Sequence, residues 1–384
     1  MKNIAFVIES LHCGGAEKSL VTLLQNFDFK TYNVDLFLAV SNGDFQKFVP
    51  EKVIIKQISK NKISILQKLK QRLKFYSLRI LNRLSKKYHS AQLFWKTKST
   101  GIKKINKNYD IAIAYNQGFA TYFVSEKIVA KKKFSWLNTD YIKAGYNIKY
   151  DFQFYSNFDK VVCVSKENEK SLQQALSSIK QKLSTVVIKD ITDTTSVINK
   201  STQSISEFDN TQSKNILTVG RLAQAKGLNL AIDACSILLK SNYNIKWYVI
   251  GEGPERKNLE QLIHNKNLQN HFILLGYKEN PYPFIKSCDI YAQTSLFEGL
   301  GLTVIEAAIL QKPIITTNFP TASTIIEHKK TGLICEMNAK AIASSIETYL
   351  KNPDLMNKVS DNLSKQKNND KELSLSKINE LLNI

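Results

Sequence analysis

No stretch of the 384-residue sequence approaches the run of about eighteen apolar residues that a spanning helix needs, so none is expected. The opening Met1-Lys-Asn-Ile-Ala-Phe-Val-Ile-Glu9 is too short in its apolar part for a signal peptide and reads as a first buried strand. Cysteine is sparse. Cys13, Cys163, Cys235, Cys288 and Cys335 are scattered, with no C-x-x-C and no His/Cys spacing that suggests a metal site. They are expected as reduced core residues of a cytoplasmic protein, with Cys13 exceptional in lying in a glycine loop. Acidic residues are short against basic ones, 33 to 54, which leaves a net charge of +21. That balance implies an anionic partner, whether nucleic acid, anionic lipid or a phosphorylated substrate, and says nothing about fold. Hydrophobic residues at 43% and charged residues at 23% are an ordinary globular composition, and the length suits two domains.

What is present is an alternation of short apolar runs with helical patterns. Ile4–Ile8, Val34–Val40, Val53–Ile58, Asp110–Tyr115, Lys133–Leu137, Lys160–Val164 and Leu183–Ile188 read as strands. Glu17–Asn26 has helical apolar spacing, and Ser165 reads as a helix N-cap. From Asp193 to Lys214 the chain turns to Ser, Thr, Asn and Gln, which marks a linker. The alternation then restarts with strands at Asn215–Val219, Lys246–Ile250, Phe272–Leu275, Asp289–Gln293, Pro313–Thr316 and 332–335, and the tail from Asn338 is helical. Two doubly wound parallel α/β halves follow, with ligands expected where strand carboxyl ends face a cleft between the halves. The division is 1–195, a polar linker at 196–214, 215–365, and a last helix within 366–384.

Lys60 to Lys107 is basic and studded with apolar residues. Ile63, Leu66, Leu69, Leu73, Tyr76, Ile80 and Leu84 recur at helical spacing among Lys62, Lys68, Lys70, Arg72, Lys74, Arg79, Arg83, Lys86 and Lys87, with no acidic residue across the helix. An amphipathic helix on an anionic membrane surface fits this pattern, with Lys131–Lys133 adding to the charge. A core-facing helix with a solvated basic face is the alternative. Nucleic acid is not expected, since no helix-turn-helix, zinc or aromatic–glycine strand signature accompanies the charge.

The chemistry collects in loops after strands. Gly14-Gly15 follows the first strand and could bring backbone N–H groups to a phosphate, though a double glycine more often marks only a turn. Gly220-Arg221 and Lys226 bracket a short loop, and both cations could reach one diphosphate, the arginine as a planar fork and the lysine as a point charge. Gly251-Glu-Gly253 is not a dinucleotide fingerprint, because Arg256 stands where the third glycine belongs. Ser295-Leu-Phe-Glu298-Gly299-Leu300-Gly301-Leu302 leads into a helix starting near Thr303, with Glu306 in or near its first turn. Those backbone N–H groups favour an anion, and the two carboxylates could accept from sugar or ribose hydroxyls. The competing readings make Glu298 a solvated loop residue and Glu306 a helix-dipole partner. No D-x-D pair occurs, which argues against metal-bridged glycosyl transfer.

The ordered set Gly14-Gly15-Ala16-Glu17, Gly220-Arg221-Leu…Lys226-Gly227, Gly251-Glu-Gly-Pro-Glu-Arg256, Asn280-Pro-Tyr-Pro and Glu298-Gly-x-Gly…Glu306-Ala resembles the retaining glycosyltransferases of family 4, over essentially the whole chain. The resemblance implies an α/β GT-B fold of two Rossmann-like domains, acceptor-binding at 1–195 and donor-binding at 215–365, with the last helix crossing back to the first domain. It implies a hexosyltransferase that moves a sugar from a UDP- or GDP-sugar to a lipid-linked saccharide, in capsule, O-antigen or exopolysaccharide assembly. The catalytic group it implies is Glu298, Arg221 and Lys226. The implied donor site adds Gly15, Asn138, Gly220, Gly251, Gly253, Gly299, Leu300, Gly301, Leu302 and Glu306, with no metal and no cofactor. Asn138 stands where the family often has a histidine, and Thr139 or Asp140 takes its place if the alignment shifts. The expected location is peripheral, on the inner face of the cytoplasmic membrane. The rivals are an epimerase or phosphorylase on the same fold, a degenerate sugar-nucleotide binder, and a basic nucleic-acid binder.

Overall fold

The computed structural model describes residues 1–384 except 13, 63, 86, 209–212, 367–368 and 384. The expectations for Cys13, Ile63 and Lys86, and part of the expected linker, therefore lie outside the described residues. Contacts divide the chain into two compact units, Met1–Ile191 with Ser374–Ile384, and Thr192–Leu373.

In unit 1 the elements run β1 (Lys2–Ile8), α1 (Gly15–Gln25), β2 (Tyr32–Leu38), β3 (Val53–Gln57), α2 (Ile65–Ser85), α3 (Ser90–Lys98), β4 (Asn108–Ala114), α4 (Phe119–Lys127), β5 (Val129–Leu137), α5 (Ile148–Tyr155), β6 (Lys160–Cys163), α6 (Lys166–Ser177) and β7 (Thr185–Val187). The seven strands pair in the order β3-β2-β1-β4-β5-β6-β7, and every pair is parallel. A parallel sheet covered on both faces needs strands apolar on both sides, and Ile4 to Ile8 are all fully buried. Ser165 caps α6 by accepting from the Asn168 N–H at 3.1 Å.

Unit 2 contains α7 (Thr194–Lys200), β8 (Lys214–Val219), α8 (Leu228–Lys240), β9 (Ile245–Ile250), α9 (Arg256–Asn265), β10 (Phe272–Gly276), α10 (Tyr282–Ser287), β11 (Ile290–Gln293), α11 (Leu302–Ile309), β12 (Ile314–Thr317), α12 (Ala322–Ile325), β13 (Leu333–Cys335), α13 (Ala339–Lys351) and α14 (Pro353–Ser364). The last helix, α15 (Asp370–Asn383), begins in this unit and continues in unit 1. Its six strands, again all parallel, order as β10-β9-β8-β11-β12-β13. That is the Rossmann order, and it reverses direction between β8 and β11.

Three features differ from the sequence reading. Part of the stretch read as linker is α7, which Asp193 caps by accepting from Ser196 N–H at 2.9 Å and whose Val197 is buried in the unit 2 core. The basic stretch splits into two helices, and α3 buries Leu93 and Trp95. Lys131 and Lys132 form surface pairs with Asp110 and Asp159 while their side chains stay exposed, and Lys133 Nζ donates to the Val124 and Ser125 carbonyls, so part of the charge expected of this run is offset locally. Cys163, Cys235 and Cys288 are buried free thiols, and burial pushes each up to about 12, which makes them inert packing residues.

Candidate active site

The strand order in unit 2 reverses between β8 and β11, and in such sheets ligands bind at the loops that follow the two strands of the reversal. The first loop is Gly220–Gly227 and the second Thr294–Gly301. They are knitted together by Leu296 N–H to Ala225 O (2.8 Å) and Thr294 Oγ1 to Lys226 O (3.0 Å). Gly227 sits at φ +58°, and a Cβ there would lie 2.2 Å from the Thr294 carbonyl oxygen, so the two loops approach as closely as backbone allows.

Across this seam Lys226 Nζ lies 2.6 Å from Glu298 Oε1. The lysine side chain is 20% exposed and the carboxylate 12%, so Glu298 is not the solvated loop residue of the competing reading. The same Oε1 accepts from Ser295 Oγ at 2.6 Å and from Gln293 Nε2 at 3.0 Å. Gln293, itself buried, also donates to Ser295 Oγ (2.8 Å), while its own Oε1 accepts from the hydroxyls of Tyr291 (2.9 Å) and Thr303 (3.4 Å). Thr317 Oγ1, from β12, donates to the Ser295 carbonyl. A buried polar network that is fully connected holds its members in one geometry. Here it aims the Glu298 carboxylate at Lys226. An ammonium has three donors, so the bond to Glu298 leaves the others for a ligand.

Sequence reasoning did not single out Gln293, Ser295, Tyr291, Thr303 or Thr317. A signal existed for three of them. Tyr291, Gln293 and Ser295 alternate with Ala292 and Thr294, which puts three polar side chains on one face of a buried strand end.

The other expected site residues divide. The Arg221 side chain is exposed and makes no ion pair with a described residue. The stem of Lys226 passes over Gly220, where a Cβ would meet it at 3.2 Å. Gly251 and Gly253 support the loop from below, with hypothetical Cβ atoms 2.0 Å from the Gly220 carbonyl oxygen and 2.3 Å from that of Leu222. Gly299 and Leu300 are buried, and Leu302 is half-buried at the first turn of α11. Gly301 takes φ +87° immediately before that helix. Glu306 belongs to the second turn of α11, not the first, and is 1% exposed. A helix-terminal dipole partner would sit exposed in the first turn, so that competing reading fails as well.

Gly15 and Asn138 lie in unit 1, after β1 and β5. Gly14 caps α1 with extended backbone, and Gly15 opens the helix at the surface. Asn138 donates from Nδ2 to the Tyr115 carbonyl (3.1 Å), and its backbone N–H is received by Gln117 Oε1 (3.0 Å). Its Oδ1 is buried with no hydrogen-bond partner among the described residues. Asp140 is engaged by Ser171 Oγ (2.6 Å) and the Lys143 N–H (3.0 Å), so it serves the local fold.

Beneath α1, Ser19 Oγ donates to Asp190 Oδ1 at 2.6 Å and lies 2.9 Å from the Tyr115 hydroxyl, all buried. Burial raises the Asp190 carboxyl to about 6 against the Ser19 hydrogen bond. A carboxyl raised on folding is held most tightly when protonated. Its stabilising contribution is therefore full below about pH 4 and is lost as pH rises through 6, a swing on the order of 3 kcal/mol. The expected result is that Asp190→Asn, which cannot titrate, gains thermal stability relative to the parent chain as pH rises from 4 to 7. Parallel melting curves for the two across that range would refute the assignment.

Residues 199–366 match the family model described as "Glycosyl transferases group 1". An uncharacterized glycosyltransferase of Methanocaldococcus jannaschii is 32% identical over 44% of this chain and 42% of its own length. A Campylobacter jejuni N-acetylgalactosamine-N,N'-diacetylbacillosaminyl-diphospho-undecaprenol 4-alpha-N-acetylgalactosaminyltransferase is 28% identical over 52% of this chain and 53% of its own length. The chain spans about half the length of these curated relatives. Among solved structures, Anabaena HepE in complex with UDP and glucose matches with a TM-score of 0.71 at 18% identity, covering 100% of this chain and 98% of that one. Two Rossmann-like units give the chain the α/β GT-B fold, and within it the likeness to the group 1 glycosyl transferases is carried by residues 199–366.

Proposed function

We propose that the chain transfers a hexose, with retention of configuration, from a UDP- or GDP-sugar to a lipid-linked saccharide during assembly of a capsule, O-antigen or exopolysaccharide, at the inner face of the cytoplasmic membrane. The observation that carries this is the Lys226–Glu298 pair at the point where strand order reverses in unit 2, with the exposed Arg221 on the same loop. UDP is the first donor to test because solved structures of this fold contain it. The lipid-linked acceptor takes its support from the diphospho-undecaprenol in the name of the Campylobacter relative.

In the proposed reaction the acceptor hydroxyl oxygen bonds to the anomeric carbon as the bond from that carbon to the diphosphate oxygen breaks, on the same face. The proton passes from the hydroxyl to the departing phosphate. The protein's part is orientation and charge. Lys226, held by Glu298, and Arg221 meet the charge that grows on the diphosphate, and no metal is needed. Glu298 also faces the donor sugar, Glu306 receives the ribose hydroxyls, and the Gly299–Leu302 backbone approaches the donor. For unit 1 we propose that Gly15 and Asn138 serve a ligand at the carboxyl ends of β1 and β5.

Thermal shift across UDP-, GDP-, ADP-, CMP- and dTDP-sugars tests the donor. A ligand that binds only the folded chain raises Tm by mass action, by about 2.7 kcal/mol of stability at a hundred times Kd. One nucleotide sugar should do so, equally with and without EDTA. Arg221→Ala should melt as the parent chain does in the absence of ligand, because the side chain is exposed, and should lose most of the shift. No shift with any nucleotide sugar would end the proposal, and a shift abolished by EDTA would end its metal-free form.

A further inference from the structure

Helix α2 is inside out for a helix on the surface of a soluble unit. Such helices turn their apolar stripe to the core. In α2 no residue is buried. Leu66, Leu69, Leu73, Tyr76, Ile80 and Leu84 recur every three or four residues, so they share one face, and they are 52% to 87% exposed. The opposite face, which meets the protein, is mixed: its half-buried residues are Gln71, Phe75, Leu78 and Asn82. Gln71 Nε2 donates to Thr100 Oγ1 at 3.0 Å. Asn82 grips the Tyr88 backbone twice, at 2.8 Å each. Phe75, between them on the same face, lies under Lys98 Nζ.

The charges border the apolar stripe. By helical geometry, Lys68, Arg72, Arg79 and Arg83 fall along one side of it and Lys70 and Lys74 along the other. All six are exposed, and none forms an ion pair with a described residue. No Asp or Glu occurs between Glu51 and Asp110. At 21 residues the helix is about 31 Å long, yet no helix among the described residues is apolar enough to cross a membrane.

We propose that α2 is an in-plane anchor. It lies on an anionic bilayer with the Leu66–Leu84 face sunk among the acyl chains and the six cations at headgroup level. An apolar face rimmed by Lys and Arg on both sides is the arrangement that partitions into such an interface. A second copy of the chain is a poor occupant, because pairing two α2 faces would bring twelve cations together without a counter-charge. The inference deepens the lipid-linked acceptor proposed above, and it rests on that reading only for the purpose of the contact.

The test uses the full chain with vesicles of phosphatidylglycerol and phosphatidylcholine in equal parts, and with phosphatidylcholine alone. Binding to the anionic vesicles is expected, and Leu69→Glu/Leu73→Glu/Ile80→Glu should weaken it at least tenfold while the melting curve stays put, since all three side chains are exposed. Lys68→Gln/Arg72→Gln/Arg79→Gln should remove the preference for anionic vesicles. The indole introduced by Tyr76→Trp should be quenched by brominated acyl chains. Absence of binding, binding untouched by the triple glutamate variant, or binding that 0.5 M salt abolishes with no quenching would each overturn the proposal. Self-association that the triple glutamate variant removes, without vesicle binding, would assign the face to a second copy instead. Vesicle binding does not depend on the donor. If it succeeds while no nucleotide sugar raises Tm, the anchor stands and the transferase reading falls, and the reverse outcome is equally separable.

Discussion

Lys226→Ala is expected to lower kcat/KM for sugar transfer by about 10²–10³-fold, the usual cost of losing a preorganised charge that stabilises a leaving group. The informative measurement is the cycle with Glu298→Ala. Lys226 and Glu298 are joined at 2.6 Å, and Ser295 and Gln293 hold the same carboxylate oxygen. Residues in one network do not contribute independently. The double variant should therefore be little worse than the worse single one, because each single variant already frees the other partner from its working position. Glu298→Gln separates the two parts of the role. It keeps a group that can accept from Ser295 but removes the negative charge that orders the lysine. Its loss should appear mainly in kcat if Glu298 acts on the developing charge, and mainly in KM if it only seats the donor. Fully additive effects of the two alanines would show that the pair is a structural ion pair with no shared function.

Gly251→Ala is the second change with a large expected effect, and it acts on stability. Gly251 has φ +144°, a region that residues with a Cβ rarely enter, and the added carbon would stand 2.0 Å from the Gly220 carbonyl oxygen. Both obstacles are backbone, so no side-chain rotation relieves them. Strain of about 1–3 kcal/mol and overpacking of similar size together predict a loss of roughly 3–5 kcal/mol, read from the urea midpoint at unchanged m-value. Gly145→Ala is the control. Gly145 also has positive φ (+81°), but nothing lies within 4 Å of its hypothetical Cβ, so it should lose only about 1 kcal/mol. Equal losses at the two positions would mean that conformation, and not the approach of the two loops, makes Gly251 necessary.

The parallel strands were legible because both faces of such a sheet are buried, which makes each strand a short continuous apolar run bounded by turns. Ile4–Ile8 and Lys246–Ile250 were read within a residue or two of their observed limits. Helix α4 was not read. Phe119 to Ser125 are buried all round, so the 3.6-residue alternation that betrays a surface helix is missing. In α2 the period was plain, and of the two orientations the sequence left open the structure goes against the core-facing one, since no residue of the helix is buried. Periodicity locates a face without saying what it touches. In the candidate site, Lys226 and Glu298 were named as separate contributors, and their pairing was invisible because it joins positions 72 residues apart. The placement of Glu306 in the second turn of α11 hinged on where the helix begins, and helix ends are the least determined part of any sequence reading.

The last helix carries a consequence for gene architecture. Ile378, Leu381 and Leu382 are buried. Tyr32 hydrogen-bonds Asn383, and Lys377 donates to the Val187 carbonyl. Unit 1 is thus written in two separated stretches of the gene, and residues 192–373 form a cassette spliced between them. Recombination that exchanges everything downstream of residue 191 would deliver a foreign closing helix along with the foreign unit 2. A clean chimera has to exchange the cassette alone and leave codons 374–384 with their native partner.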